Sequence, residues 1–117
     1  MDNEVREILA TNDFLDYYNT LSPQIRNKYD YVIQIMKSQK IVNAKFVKHL
    51  ENTELYEMRV SIGTNEYRTI LFTIDSKNFV ESSKVILLNS FLKKSKKQYQ
   101  AEIQKAQKLI NEMEEQI

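Results

Sequence analysis

Two arginines, an aromatic ring and a run of lysines are the residues of this 117-residue chain best suited to chemistry. Arg59 stands in LYEMRV and Arg68 in EYRTILF, while Phe91 is followed at once by Lys93, Lys94, Lys96 and Lys97. A guanidinium grips phosphate oxygens through paired N–H donors, an ammonium supplies compact positive charge, and a ring can stack on an unpaired base. Brought together on adjacent strands, such a set suits an RNA backbone carrying an unstacked base. Taken singly, each Arg or Lys reads as ordinary solvent-facing charge; the grouping with Phe91 is what suggests a site. Other chemistries find no residues here. His49 is the only histidine and there is no cysteine, so no zinc centre can be assembled. The only glycine is Gly63, which leaves no glycine-rich phosphate loop, and no G-x-S-x-G elbow occurs. Glu51, Glu54 and Glu57 surround a strand start and read as solvated charge. No metal and no cofactor are expected.

A sheet must position these groups. From Glu54 the apolar period is two: Tyr56, Met58, Val60 and Ile62 fall on one side, Leu55, Glu57, Arg59 and Ser61 on the other. Gly63–Asn65 reads as a turn and Glu66–Ile74, rich in β-branched and aromatic residues, as a second strand. Asp75–Ser82 is a polar loop, and Ser83–Phe91 is a third strand apolar enough to lie inside the sheet. The short connections predict an antiparallel meander. Upstream, Thr11 or Asn12 caps a helix over about Asn12–Thr20, with Phe14, Leu15, Tyr18 and Leu21 at helical spacing. Ser22-Pro23 opens a second helix running to about Ser38, with Ile25, Tyr29, Val32, Ile33 and Met36 on one face. So tight a link makes the two a helical hairpin. Glu4–Ala10 fits a short strand or a first helical turn, and Lys45–His49 a turn or short helix. From Lys96 the tail is helical. Tyr99, Ile103, Ala106, Ile110, Met113 and Ile117 form a stripe that can cover the sheet or the hairpin, or seat a coiled-coil partner. The predicted architecture is α+β: an N-terminal helical hairpin on a twisted antiparallel sheet, with a C-terminal helix.

The length suits one domain spanning residues 1–117. With 42% hydrophobic and 28% charged residues, it reads as globular and not disordered. Met1–Glu7 carries three acids and no apolar segment follows it, so no signal peptide is read, and no run approaches the ~18 apolar residues of a membrane span. The absence of cysteine suits a reducing cytoplasm. Net charge is only +1, but it is unevenly spread. Lys84–Lys108 holds seven Lys against Glu102 alone, whereas Met1–Asp30 and Leu109–Ile117 each carry an excess of three acids. A polyanion would sit on the basic segment.

The order of these fragments resembles the RelE/HigB-like toxins, of the RelE/ParE superfamily, from type II toxin–antitoxin systems. The family pattern runs K-x-L, L-Y-E-L-R, Y-R-x-x-Y/F, a strand ending h-x-F-x-K-K, and a helix with E-I-x-x-A. Here these are Lys48-His49-Leu50, Leu55–Arg59, Tyr67–Phe72, Leu88–Lys94 and Glu102–Ala106, and FLDYYNTL at Phe14–Leu21 fits the first helix. The resemblance spans Phe14 to Lys108. It implies metal-independent endonucleolytic cleavage of messenger RNA, commonly on the ribosome, which inhibits translation. Chemically, a ribose 2′-hydroxyl attacks the adjacent phosphate, with a base, an acid and cations to stabilise the phosphorane. Carried over by position, Arg59 and Arg68 would hold the scissile phosphate, and Lys93 and Lys94 would supply charge or transfer protons. Phe91 would stack on a base or shape the cleft, and Lys48, Lys96 and Lys97 would contact RNA. The implied partners are a cognate antitoxin, mRNA and the ribosome, with no membrane. Asn89-Ser90 departs from the His-Gly often found before the family's Phe, the proline common before the last helix is absent, and Lys108 stands where Arg is frequent. Two other readings remain: a non-enzymatic ParE-like gyrase inhibitor of the same fold, and a non-toxic interaction module, since function sits in the site and not in the scaffold.

Overall fold

A computed structural model describes residues 4–115. Its elements run β1 (Glu7–Ala10), α1 (Asn12–Thr20), α2 (Pro23–Ser38), β2 (Val47–His49), β3 (Leu55–Ile62), β4 (Asn65–Thr73), β5 (Lys84–Leu92) and α3 (Lys96–Glu115). The helix starts follow their caps. The Thr11 hydroxyl accepts from the Phe14 N–H at 3.1 Å, and Ser22 accepts from Ile25 N–H at 3.4 Å with Pro23 in the first turn. Between β3 and β4, Ile62 pairs with Asn65, so Gly63 and Thr64 form a two-residue hairpin loop, and Gly63 takes φ +60°.

The sheet has the order β1-β5-β4-β3-β2. The expected meander β3-β4-β5 is present, and β5 lies inside the sheet between β4 and β1. Two corrections apply to its edges. Residues 7–10 form a strand running parallel to β5, Ile8 opposite Val85, so the sheet is not wholly antiparallel. Val47–His49 is a strand on β3 and not a turn or helix: Val47 is buried beside the hairpin, and its neighbours complete the ladder with Tyr56–Met58.

The helical hairpin covers one face. Phe14, Tyr29, Val32 and Met36 pack there against Met58, Val60, Tyr67, Leu71, Val85 and Leu87. On the opposite face α3 lays Ala106 and Ile110, flanked by Tyr99, Ile103, Leu109 and Met113, over Leu55, Ile70, Ile86, Leu88 and Phe91. Its stripe is therefore spent on the sheet, and the coiled-coil alternative is not needed; Ile117 of that stripe lies outside the described residues. A β-bulge near Leu88 turns Leu88 and Asn89 both toward α3, and Asn89 Nδ2 donates to the Glu102 carbonyl at 3.0 Å. Ahead of β1, buried Arg6 donates to the carbonyls of Met36 and Gln39 at the end of α2 and of Phe79 in the β4–β5 loop. Its guanidinium also stacks 4.0 Å from the Phe79 ring. Among the described residues no helix is long and apolar enough to cross a membrane.

Candidate functional site

Directly opposed residues of neighbouring strands share a face, so the ladder fixes which side chains meet. Arg59 of β3 stands opposite Arg68 of β4, which stands opposite Phe91 of β5, all on the face that carries α3. One row along, Lys48, Glu57, Ile70 and Asn89 share that face across four strands. In the other direction, Ser61 faces Glu66, whose carbonyl accepts the Lys93 N–H at 2.8 Å.

Two arginines opposed in a ladder repel each other unless something lies between them. Glu57 does. Its Oε2 accepts from Arg59 Nε at 2.6 Å, and Arg68 Nε approaches the same oxygen at 3.3 Å, outside hydrogen-bond alignment. Arg68 Nη1 donates to Glu66 Oε2 at 3.2 Å and to the Tyr67 carbonyl at 3.1 Å. Exposure sorts the groups: the Glu57 side chain is 1% exposed, Arg68 8% and Arg59 29%. Arg59 is thus the guanidinium offered to solvent, and Arg68 stands behind it. Glu57 Oε1 is buried and has no hydrogen-bond partner among the described residues. The Ser61 hydroxyl, followed by Arg68 and Arg59, holds the Glu66 carboxyl below the usual carboxylate range.

Beside this cluster lies a cleft of about 260 Å³, lined by Lys48, His49, Glu57, Arg59, Tyr99 and Ile103 among others. Tyr99, from the first turn of α3, meets Phe91 edge-on, ring centroids 5.8 Å apart, and carries Lys93 Nζ 5.6 Å from its own centroid. Phe91 itself is buried, so its ring backs Tyr99 instead of facing solvent. His49 sits at the rim, its Nε2 2.8 Å from the Thr53 carbonyl oxygen.

Lys93, Lys94, Lys96 and Lys97 are all exposed around the start of α3 and do not line this cleft; Lys93 alone lies against one of its walls, over the Tyr99 ring. Ser95 accepts from Gln98 N–H at 3.1 Å, and Gln98 Oε1 accepts from Lys94 N–H at 2.8 Å, which fixes the turn. Four lysines in or just before a first helical turn that lacks any acid oppose the helix dipole, a local cost that a bound anion relieves. The structure thus groups Arg59, Arg68, Phe91 and Lys93 with Lys48, and leaves the other three lysines on the adjoining surface. Two residues of the site escaped the sequence reading. Glu57, expected to be solvated charge, is buried between the arginines; the period-two pattern puts it on the face of Arg59, which α3 covers. Tyr99 read only as part of that stripe.

The family model of the Phage derived protein Gp49-like family matches residues 16–111. No curated protein sequence matches the chain. Among solved structures, the fold is similar to a chain of the intact E. coli RelBE toxin–antitoxin complex, with TM-score 0.53 and 12% identity over 77% of this chain and 99% of that one. It is also similar to the isolated E. coli RelE toxin, with TM-score 0.50 and 13% identity over 85% and 96%. At such identity the likeness is one of fold. The chain belongs to the Gp49-like family and has a RelE-like fold, which bears out the resemblance to RelE/HigB-like toxins read from its sequence.

Proposed function

We propose that this chain is the toxin of a type II toxin–antitoxin pair. In this reading it is a cytoplasmic, metal-independent endoribonuclease that cleaves mRNA on the ribosome and is neutralised by a cognate antitoxin. The observation that carries the reading is the opposed pair Arg59 and Arg68, tied through one buried carboxylate and flanked by Lys93, Lys48 and Tyr99. That arrangement suits a phosphodiester. Arg59 meets the non-bridging oxygens of the scissile phosphate, while Arg68 adds positive field and fixes the carboxylate that orients Arg59. The 2′-oxygen forms a bond to phosphorus as its proton leaves, and the bond to the 5′-oxygen breaks as that oxygen is protonated, giving a cyclic phosphate and a free 5′-hydroxyl. Lys93, held over Tyr99, stabilises the phosphorane or moves one of these protons, and Lys94 on the adjoining surface adds positive field. Lys48, Lys96 and Lys97 hold the flanking backbone, and Phe91 shapes the cleft by seating Tyr99. The RelE-like fold and the toxin–antitoxin complex among its structural neighbours support an antitoxin partner.

Induction in a bacterial host with primer extension on an abundant transcript tests the reading. New 5′ ends inside translated codons, together with growth arrest, are the expected result. Arrest without cleavage would point to gyrase, and no arrest would leave a binding role. Among the described residues no three His, Cys, Asp or Glu side chains converge to ligate a metal.

A further inference from the structure

A second cleft, of about 250 Å³, opens on the other side of Arg59. It exists because β2 is short. β2 pairs only with Tyr56–Met58, and the last backbone bond along that edge runs from Arg59 N–H to the Phe46 carbonyl at 2.7 Å. Beyond it no strand among the described residues covers the outer edge of β3, and α2 passes alongside. Lys28 and Tyr31 of α2, Lys45 and Phe46 before β2, and Arg59 of β3 line the gap. Three of these carry positive charge, and no acid among the described residues lines the cleft.

Tyr31 has no place in either core. It is 60% exposed and stands edge-on to Phe46, ring centroids 6.1 Å apart at 76°. Lys45 Nζ lies 4.9 Å from the Phe46 ring, and neither Lys28 nor Lys45 makes an ion pair among the described residues. A solvent-facing ring flanked by unneutralised cations is the pattern that binds single-stranded nucleic acid: the ring takes any base, and the cations follow the backbone. An acidic peptide would use the lysines but leave Tyr31 without a task. The volume falls below the ~300–1,000 Å³ of a site for a whole small-molecule ligand. Arg59 lines both clefts, so a strand held at the arginine pair can continue around the edge of β3 without leaving positive charge.

We propose that Lys28, Tyr31 and Lys45 form a subsite for a nucleotide flanking the one at the arginine pair, with Tyr31 stacking on its base and the lysines on its phosphates. This rests on the ribonuclease reading and adds to it a surface that sets how much single-stranded RNA the protein grips.

The test is binding of fluorescein-labelled 2′-O-methyl oligoribonucleotides, which cannot be cleaved, to the purified full chain by fluorescence anisotropy. Oligomers of about four and about twelve nucleotides are compared, a single OB-fold site spanning ~4–16 nucleotides. Wild-type protein is expected to bind the longer at least about tenfold more tightly, one stacked base and two phosphate contacts supplying that factor. Tyr31→Ala combined with Lys28→Gln and Lys45→Gln should bring the longer oligomer down to the affinity of the shorter and leave the shorter unchanged. Tyr31→Phe alone should keep the length preference, because stacking needs the ring and not the hydroxyl. Arg59→Ala should weaken both lengths. A triple variant that retains the preference, or wild-type protein that binds both lengths alike, would overturn the subsite. Wild-type protein that binds neither length would overturn it as a grip on free RNA, while the ribonuclease reading is decided separately by primer extension.

Discussion

Glu57 is the residue on which the site turns, because one buried carboxylate compensates two guanidinium groups. Replacing it by Gln leaves Arg68 buried with only the half-exposed Glu66 as a counter-charge. The expected loss is ~3–5 kcal/mol in urea denaturation, the usual cost of removing one partner of a buried ion pair. An unchanged midpoint would mean that Arg68 does not need Glu57. Arg59 is the more exposed partner, yet its Nε is the one hydrogen-bond donor to Glu57 among the described residues. Arg59→Ala should therefore lower the denaturation midpoint as well as cut RNA ~10²–10³-fold more slowly, as when one donor to a transition-state oxyanion is lost. Arg59→Lys should recover little, since an ammonium can neither hold Glu57 through Nε nor present a planar fork. Sequence puts Arg59 on the polar face of its strand and Arg68 on the neighbouring strand; the register that opposes them comes from the structure. It could not weigh Glu57, because a carboxylate on a strand reads the same whether water or a helix lies above it.

At the scale of elements, the strands with their own period were legible and the two short edges were not. β3 and β4 were bounded within one residue by alternation and by the Gly63 turn. β2, three residues long, is shorter than any window in which alternation can be recognised. β1 finds its partner in Lys84–Leu87, far along the chain, and a parallel pairing across that distance leaves no local turn to announce it. The β4–β5 loop is closed by Asp75, whose carboxylate accepts from the Ser83 hydroxyl and from the N–H groups of Ser83 and Lys84. The Ser83 hydroxyl, then these N–H groups, hold the Asp75 carboxyl below its ordinary value. A lowered carboxyl gives its stabilisation above the unfolded-state value of about 3.9 and loses it as pH falls through the lower folded value. The amide resonances of Ser83 and Lys84 should therefore titrate with a midpoint below the ordinary Asp range, and Asp75→Asn should abolish that step. A midpoint at or above that range would refute the assignment.

Over the whole molecule, Arg6, just ahead of β1, ties the end of α2 to the β4–β5 loop. It does so with carbonyl oxygens alone, and burial lowers its pKa from the usual arginine value. Arg6→Met keeps much of the volume but strands several buried acceptors, so a loss of ~3 kcal/mol or more is expected in thermal or urea unfolding. A loss below ~1 kcal/mol would show those carbonyls to be satisfied some other way. The pairing of β1 with β5 also has a consequence in time. The β3–β4 hairpin needs only a two-residue loop, so Arg59 and Arg68 can meet early. The partner of Ile8 and the α3 cover over Leu55, Ile70 and Leu88 come from the far end of the chain. During synthesis, the charged pair is therefore assembled first and roofed last. In that interval an apolar sheet face stands open beside it, which makes the half-made chain the form most prone to aggregate.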